Sequence, residues 1–186
     1  MSDIAILKEM IKDSATVPLE DPYGNGRKQV KLTEPPPANY CVTIIGMPDD
    51  DEVIIIKADA FSSPNAVFKG NSGECKRADF VIIANTSQRK VILCIEMKAG
   101  KGGSEADIIQ QLKGAQCFVA YCREIGQSFW NQPNFLKSYE YRFVSIRDIS
   151  ISKKPSRIDS GIHDRPDRML KISSPHNLQF NQLIGR

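Results

Sequence analysis

The stretch Val91-Ile-Leu-Cys-Ile-Glu-Met-Lys98 decides the fold, because it is a short apolar run that ends in two charged side chains. Its length and its β-branched residues favour a strand. Side chains alternate along a strand, so Glu96 and Lys98 share one face with Ile92 and Cys94. Because both faces are apolar up to Glu96, we expect a strand that is covered on two sides. Charged groups at such a position must be paired or bind an ion, since unpaired burial is costly.

A second apolar run, Ala78 to Ala84, precedes this strand, and the polar residues 85–90 separate the two. This order predicts a β-hairpin made of two central strands. Antiparallel pairing brings Asp79, at the start of the first strand, beside the end of the second. We therefore expect two carboxylates, Asp79 and Glu96, and the Lys98 ammonium group to converge at one edge of the sheet.

Two helices are predicted, one over residues 3–12 and one from Ser104 to Arg123, because both segments carry apolar side chains at helical spacing. Ser104 is a suitable N-cap, and acidic residues follow it where a helix start favours them. One face of the second helix is predicted to consist of Ile108, Leu112, Ala115, Val119 and Cys122. Gln111 lies at the margin of that face and Gln110 lies away from it. We expect this face to pack on the sheet.

The remaining segments predict three more strands and two irregular regions. Tyr40 to Ile45 and Val53 to Lys57 are β-branched and are separated by an acidic turn, which predicts a first hairpin. Tyr141 to Ile149 predicts a fifth strand. Residues 17–39 are rich in proline and glycine and predict a long surface connection, and residues 150–186 predict irregular structure. We expect one α/β domain over residues 1–186 with a mixed central sheet.

Composition is that of a globular protein, with 25% charged and 41% hydrophobic residues. The net charge of +3 is compatible with a polyanionic partner but does not by itself indicate one. The first residues lack the features of a secretory signal, and no apolar run is long enough to span a bilayer, so we expect a cytoplasmic protein without a membrane partner. The five cysteines show no CxxC spacing, which argues against a zinc site, a disulfide framework or an iron–sulfur cluster.

Asp79, Glu96 and Lys98 are the residue types that phosphodiester hydrolysis requires. A hard divalent cation takes oxygen ligands, which two carboxylates and a nearby backbone carbonyl can supply. Such a cation acts as a Lewis acid, activates water and orients the substrate. Lys98 can orient the attacking water and offset negative charge in the transition state. We therefore predict a metal-dependent nuclease.

Asp79, the triple Glu96-Met97-Lys98 at the end of an apolar strand, and the helix that begins near Ser104 resemble the PD-(D/E)XK nuclease superfamily. The resemblance covers about residues 40–149. It implies a restriction-endonuclease-like αβββαβ core, in which helices flank the mixed central sheet. It also implies Mg²⁺ or Mn²⁺ as the cofactor and a nucleic acid, most often DNA, as the substrate.

The resemblance also implies roles for individual residues. Asp79, Glu96 and the backbone carbonyl of Met97 would hold the metal ion, and Lys98 would assist catalysis. Members similar to RecB and to the Holliday-junction resolvases add a glutamine from the following helix. The better match for that glutamine is Gln111, with Gln110 as the alternative. A homodimer or a partner protein is implied for cutting two strands.

Other acidic groups compete with this assignment. Glu74-Cys75-Lys76 is a second ExK triple, but it lies in a turn-like segment with no apolar strand, so we interpret it as a chance match. The acidic run 49–52 is typical of a solvated turn. Glu9 could add a carboxylate from the first helix, although its position on the polar face favours contact with solvent. His163 and His176 are predicted to belong to a polar tail.

The region after Ile149 carries an excess of positive charge, from Lys153, Lys154, Arg157, Arg165, Arg168, Lys171 and Arg186. A phosphate-contacting arm and a merely soluble tail are both compatible with this pattern. Phe129, Trp130 and Phe135 either stack on a base or pack in the core. An alternative to the nuclease is a catalytically silent module of the same fold that binds nucleic acid or protein within a multi-subunit defence or repair complex.

Overall fold

In the computed structural model, the described residues are 1–21, 26–34, 40–100, 103–148, 161–173, 175 and 177–185. The α-helices are α1 (Asp3–Met10), α2 (Glu105–Phe129) and α3 (Phe180–Leu183). The strands are β1 (Gln29–Thr33), β2 (Cys41–Ile45), β3 (Val53–Lys57), β4 (Phe80–Asn85), β5 (Lys90–Ala99), β6 (Glu140–Asp148), β7 (Leu170–Ser173) and β8 (Asn177–Gln179). The chain therefore has the mixed α/β composition that the sequence predicts.

Five strands form the main sheet in the order β3-β4-β5-β6-β7. The pairs β3–β4 and β4–β5 are antiparallel, whereas β5–β6 and β6–β7 are parallel. The predicted hairpin of β4 and β5 is confirmed, and both strands lie inside the sheet. Helix α2 connects β5 to the parallel strand β6, as a parallel connection requires.

Each face of the main sheet carries its own apolar core. On one face, α1 and α2 cover alternate residues of β4 and β5, including Val81, Ile83, Ile92 and Cys94. On the other face, the three-stranded sheet β1-β2-β8 and α3 cover the intervening residues. The prediction that β5 is covered on both sides is therefore confirmed. None of the described helices is long and apolar enough to cross a bilayer.

Helix α2 begins as predicted. The Ser104 side chain accepts a hydrogen bond from the Asp107 backbone N–H, and the Asp107 carboxylate accepts one from the Ser104 backbone N–H. This capping box satisfies two donors that the helix itself leaves free. The five predicted face residues are all buried, but the helix continues past Arg123 to Phe129.

The predicted hairpin of β2 with β3 is wrong, because the two strands belong to different sheets. Strand β2 pairs with β1 and β8 instead. The physical reason is their burial: β2 buries only alternate side chains, whereas β3 buries four consecutive ones and has both faces covered. Strand β1 also corrects the prediction that residues 17–39 form only a surface connection. It lies at the edge of the smaller sheet, where it pairs with β2, and its Gln29 also exchanges backbone hydrogen bonds with Glu20.

The prediction of irregular structure after residue 149 is wrong for the described residues from 161 onward. They form β7, which extends the main sheet, and β8, which extends the smaller one. His163 is buried rather than part of a polar tail, and its ring nitrogens lie 2.8 Å from the Gly161 carbonyl and 2.7 Å from the Leu183 carbonyl. Strands of three or four residues leave no clear periodicity, so only their distant partners define them.

Candidate active site

Asp79 and Glu96 lie opposite each other on neighbouring strands. Phe80 pairs with Ile95, so the next position outward places Asp79 beside Glu96. The Asp79 carboxylate accepts a hydrogen bond of 2.6 Å from the Met97 backbone N–H, and its own carbonyl accepts one of 2.8 Å from Ala58. Asp79 is therefore held from both neighbouring strands.

Glu96 is fully buried, with 0% of its surface exposed. The Lys98 ammonium nitrogen lies 2.5 Å from Glu96 Oε1, which makes an ion pair. Even so, neither carboxylate oxygen takes part in a hydrogen bond of good geometry with any described residue. Buried carboxylates normally have such partners, so both oxygens retain capacity for a further ligand.

The electrostatics of the three groups are coupled. Burial, reinforced by the charge of Asp79, raises the pKa of Glu96 to about 8. Burial also raises the pKa of Asp79 to about 6, against the lowering effects of the Met97 N–H and of Lys98. For Lys98, burial lowers the pKa, but the contact with Glu96 and the nearby carboxylates outweigh it, so the net shift is upward. The site therefore disfavours two unneutralised carboxylates, and either a proton on Glu96 or a cation would neutralise the pair.

The segment that leads into Asp79 is fixed by α2. A Cβ atom at Gly114 would lie 1.9 Å from the Lys76 carbonyl oxygen, so only glycine allows the helix to approach this closely. The Lys76 ammonium group also lies 2.5 Å from Asp107 in the first turn of α2. The close approach at Gly114 therefore sets the position from which the chain enters β4, and the partly exposed Lys76–Asp107 ion pair adds little to it.

The Met97 carbonyl is directed to the same edge as Asp79. In an antiparallel pair, the N–H and C=O of one residue point to the same neighbouring strand. Since the Met97 N–H donates to the Asp79 side chain, its carbonyl faces that side as well. The structure thus brings together Asp79, Glu96, Lys98 and the Met97 carbonyl.

Gln111 lies on α2 with a half-buried side chain. Within the described residues, no hydrogen bond joins it to Asp79, Glu96 or Lys98, so its role stays a prediction. The amide of Gln110, the alternative, lies 3.5 Å from the Ser72 carbonyl. Gln110 therefore contacts the loop before β4.

Glu34 is a carboxylate near the site that the sequence did not indicate. It follows β1, and its N–H donates to the Tyr40 carbonyl at 2.9 Å. One of its carboxylate oxygens is buried and has no hydrogen-bond partner among the described residues. After the larger effect of burial, its charge contributes to the raised pKa of both Asp79 and Glu96, so it lies within electrostatic reach of the pair. Nothing in the sequence links it to β4 or β5, because only the packing of the two sheets brings it near.

A small divalent cation fits this site by the chemistry of its donors. The unsatisfied oxygens of Glu96, the Asp79 carboxylate and the Met97 carbonyl are hard ligands of the kind that Mg²⁺ and Mn²⁺ take. Within the described part of the chain, no group of three or more His, Cys, Asp or Glu side chains is arranged to hold a metal ion. Mg²⁺ commonly binds through only one or two carboxylates and keeps several waters, so two carboxylates are sufficient.

The competing carboxylates have other partners. Both oxygens of Glu74 accept hydrogen bonds from backbone N–H groups, at 2.8 Å from Gly70 and 2.9 Å from Ser72. Glu9 accepts a hydrogen bond of 2.9 Å from the indole N–H of Trp130, at the far end of α2. In the acidic turn, the exposed Asp50 forms an ion pair with Lys28. None of these groups joins the Glu96 site.

No protein-family model, no curated protein and no solved structure matches this chain.

Proposed function

We propose that the chain is a metal-dependent nuclease that hydrolyses phosphodiester bonds, with DNA as the substrate. The observation that carries the proposal is the fully buried Glu96 carboxylate, which has Lys98 at 2.5 Å and Asp79 on the adjacent strand, yet lacks a well-formed hydrogen bond among the described residues. A fold keeps a buried charged group of this kind at a cost in stability, and such groups cluster at functional sites.

The order of elements supports a restriction-endonuclease-like core. Helix α1, the antiparallel strands β3, β4 and β5, helix α2 and the parallel strand β6 occur in the αβββαβ order of that fold, with β1 and β2 inserted between α1 and β3. The proposed site lies where β4 begins and β5 ends. The second sheet and β7 would then be additions to this core.

In the proposed mechanism, Asp79, Glu96 and the Met97 carbonyl would hold Mg²⁺ or Mn²⁺. When bound, the cation supplies Lewis acidity at the scissile phosphate and lowers the pKa of water. Lys98 orients the attacking water from its position beside Glu96 Oε1, and its positive charge offsets the charge that develops on the phosphate. The water oxygen bonds to phosphorus and releases a proton to solvent, the bond to the leaving oxygen breaks, and that oxygen takes up a proton from solvent. The Asp79 carboxylate is kept in place by the Met97 N–H throughout.

A catalytically silent binding module of the same fold is the second candidate. Its support is that no third carboxylate, histidine or cysteine completes a metal-binding group within the described ranges. In that case the Glu96–Lys98 ion pair would be structural, and the surface around it would bind nucleic acid or protein.

A cleavage assay on supercoiled plasmid and on labelled oligonucleotides, with Mg²⁺ or Mn²⁺, separates the two candidates. We expect the wild-type protein to cut DNA and Asp79→Asn to bind DNA without cutting it. Parallel RNA substrates test the choice of nucleic acid. A wild-type protein that binds DNA but cuts neither nucleic acid with either metal would refute the nuclease and favour the binding module.

A further inference from the structure

The register of the main sheet extends the polar site sideways across two more strands. Glu96 pairs with Ser145 of β6, which in turn pairs with Lys171 of β7. Two residues further along, Lys98 pairs with Arg147. Residues in register on adjacent strands share a face, and neighbouring strands lie about 4.8 Å apart. Polar side chains therefore continue from the Glu96 site along the face that α2 covers.

A cavity of about 310 Å³ lies at this place, between the start of α2 and strands β6 and β7. Ser145, Arg147 and Lys171 line it, together with Gly103 and Glu105 from the start of α2. Its volume falls within the range of small-ligand sites. The cavity also adjoins the proposed active site, since a Cβ atom at Gly103 would lie 3.6 Å from Lys98 Cε.

The cavity favours an anion. Two cationic side chains, Arg147 and Lys171, face one carboxylate, Glu105, and α2 directs its positive N-terminal end toward the same region. Ser145 is 2% exposed and adds a hydroxyl group to the wall. Hydroxyl, ammonium and guanidinium groups from separate elements are the donors that proteins use for phosphate.

The existing contacts of both cations are ones that an anion can replace. Lys171 lies 2.7 Å from Glu105, but both side chains are more than half exposed, and exposed ion pairs are weak. Among the described residues, Arg147 donates one hydrogen bond, of 3.1 Å, to the Gly103 carbonyl. The guanidinium group has five N–H donors, so further donors remain for a ligand.

We propose that this cavity binds a phosphate group of the nucleic acid next to the scissile one, with Arg147 and Lys171 as its cationic ligands. The inference rests on the proposed nuclease function, because it places the cavity and the proposed active site along the same bound nucleic-acid strand. The phosphate is either a terminal monoester, which would favour cutting near an end, or an internal diester of a continuous strand. Glu105 competes with the phosphate for Lys171.

The test measures binding, so it does not depend on cleavage. Fluorescence anisotropy with Ca²⁺ in place of Mg²⁺ compares one DNA sequence with a 5′-phosphate, a 3′-phosphate or only hydroxyl ends. We expect Arg147→Gln and Lys171→Gln each to weaken binding about tenfold and to reduce the salt dependence by roughly one phosphate contact. Glu105→Gln should strengthen binding. Lys137→Gln, an exposed lysine near the start of β6, is the matched control.

Each outcome decides the proposal once circular dichroism shows that the variants are folded. A loss confined to one phosphorylated end assigns the cavity to a terminal phosphate, and an equal loss on all probes assigns it to an internal diester. The proposal is overturned if Arg147→Gln and Lys171→Gln bind every probe like Lys137→Gln, if Glu105→Gln weakens binding, or if the wild type binds no probe. Phosphate binding without cleavage under Mg²⁺ or Mn²⁺ would refute the nuclease alone.

Discussion

The chain contains two ExK triples, Glu74-Cys75-Lys76 and Glu96-Met97-Lys98, and the structure gives them opposite environments. Glu74 accepts hydrogen bonds from the backbone N–H groups of Gly70 and Ser72, and its own backbone N–H, together with these two, lowers the pKa of its carboxyl group. Glu96 is buried without equivalent donors, and its pKa is raised to about 8. Lys76 pairs with Asp107 of α2, whereas Lys98 pairs with the glutamate of its own triple.

The chemistry of a short motif therefore depends on its position in the fold. Glu74 stabilises a loop because that loop offers two free N–H groups at the right distance. Glu96 lies in the middle of a sheet, where the nearby backbone N–H groups of β5 already donate to the neighbouring strands or, for Met97, to the Asp79 carboxylate. Its carboxylate therefore depends on Lys98 and, in our account, on a bound cation.

The largest expected effect comes from neutralising one glutamate at a time. Glu96→Gln keeps the shape of the side chain but removes its charge, so we expect DNA cleavage to fall by about 10²- to 10³-fold or more. Glu74→Gln should cleave like the wild type, because it changes only a surface loop. Initial rates on plasmid DNA measure both variants. Equal loss in the two variants would show that the comparison between the triples is mistaken.

We expect substitution of the two lysines to differ in its effect on cleavage in the same way as substitution of the two glutamates. Lys98→Gln should lower kcat by about 10²- to 10⁴-fold while DNA binding persists, since a positioned proton-transfer or charge-stabilising group acts in the transition state. Lys76→Gln should leave kcat unchanged and reduce the melting temperature slightly, through loss of its exposed ion pair with Asp107. Single-turnover rates and melting curves separate these effects. A large loss of kcat in Lys76→Gln would contradict the account.

A smaller effect concerns stability against pH in the presence of a chelator. Folded Glu96 keeps its proton up to about pH 8, whereas an unfolded glutamate loses it near 4.5, so this residue makes the free energy of unfolding fall as pH rises through that range. Glu74 has the opposite effect on the free energy of unfolding. Because its pKa is lower in the folded state than in the unfolded state, it stabilises the fold above about pH 4.5. That contribution is lost as the pH falls through the pKa of the folded state.

Urea unfolding between pH 3 and pH 9 measures these slopes. Glu96→Gln should reduce the decline of the unfolding free energy toward high pH, apart from the part that Asp79 contributes up to about pH 6. Glu74→Gln should reduce only the loss of unfolding free energy at low pH. If Glu96→Gln kept the slope of the wild type above pH 6, the raised pKa of Glu96 would be wrong.

The main sheet could be predicted where the signals are local. The apolar runs of β4 and β5 and the Ser104 cap of α2 define their elements through neighbouring residues alone. The pairing of β2 could not be predicted, because its partners β1 and β8 lie in a proline-rich region and in the polar C-terminal region. Their strands gain stability from distant contacts, which single-sequence periodicity does not report.

The candidate site divides in the same way. The convergence of Asp79, Glu96 and Lys98 follows from strand alternation and one hairpin, so the sequence was sufficient to predict it. Glu34 approaches from the second sheet and could not be predicted.

The basic region after residue 149 is described in part. Arg165 and Arg168 pair with nearby aspartates, whereas Lys171 lies in β7 at the cavity. Lys153, Lys154, Arg157, His176 and Arg186 lie outside the described residues.

The most direct test of the central claim is a crystal structure of the wild-type protein with Mn²⁺, with the ion located by its anomalous scattering. We expect one peak between Asp79 and Glu96 and no peak at Glu74. The peak should lie roughly 2.1 Å from the carboxylate oxygens of Asp79 and Glu96, the distance typical of a small divalent cation. A fully exchanged crystal with no anomalous peak at Asp79 and Glu96, and with Glu96 still paired only to Lys98, would contradict it.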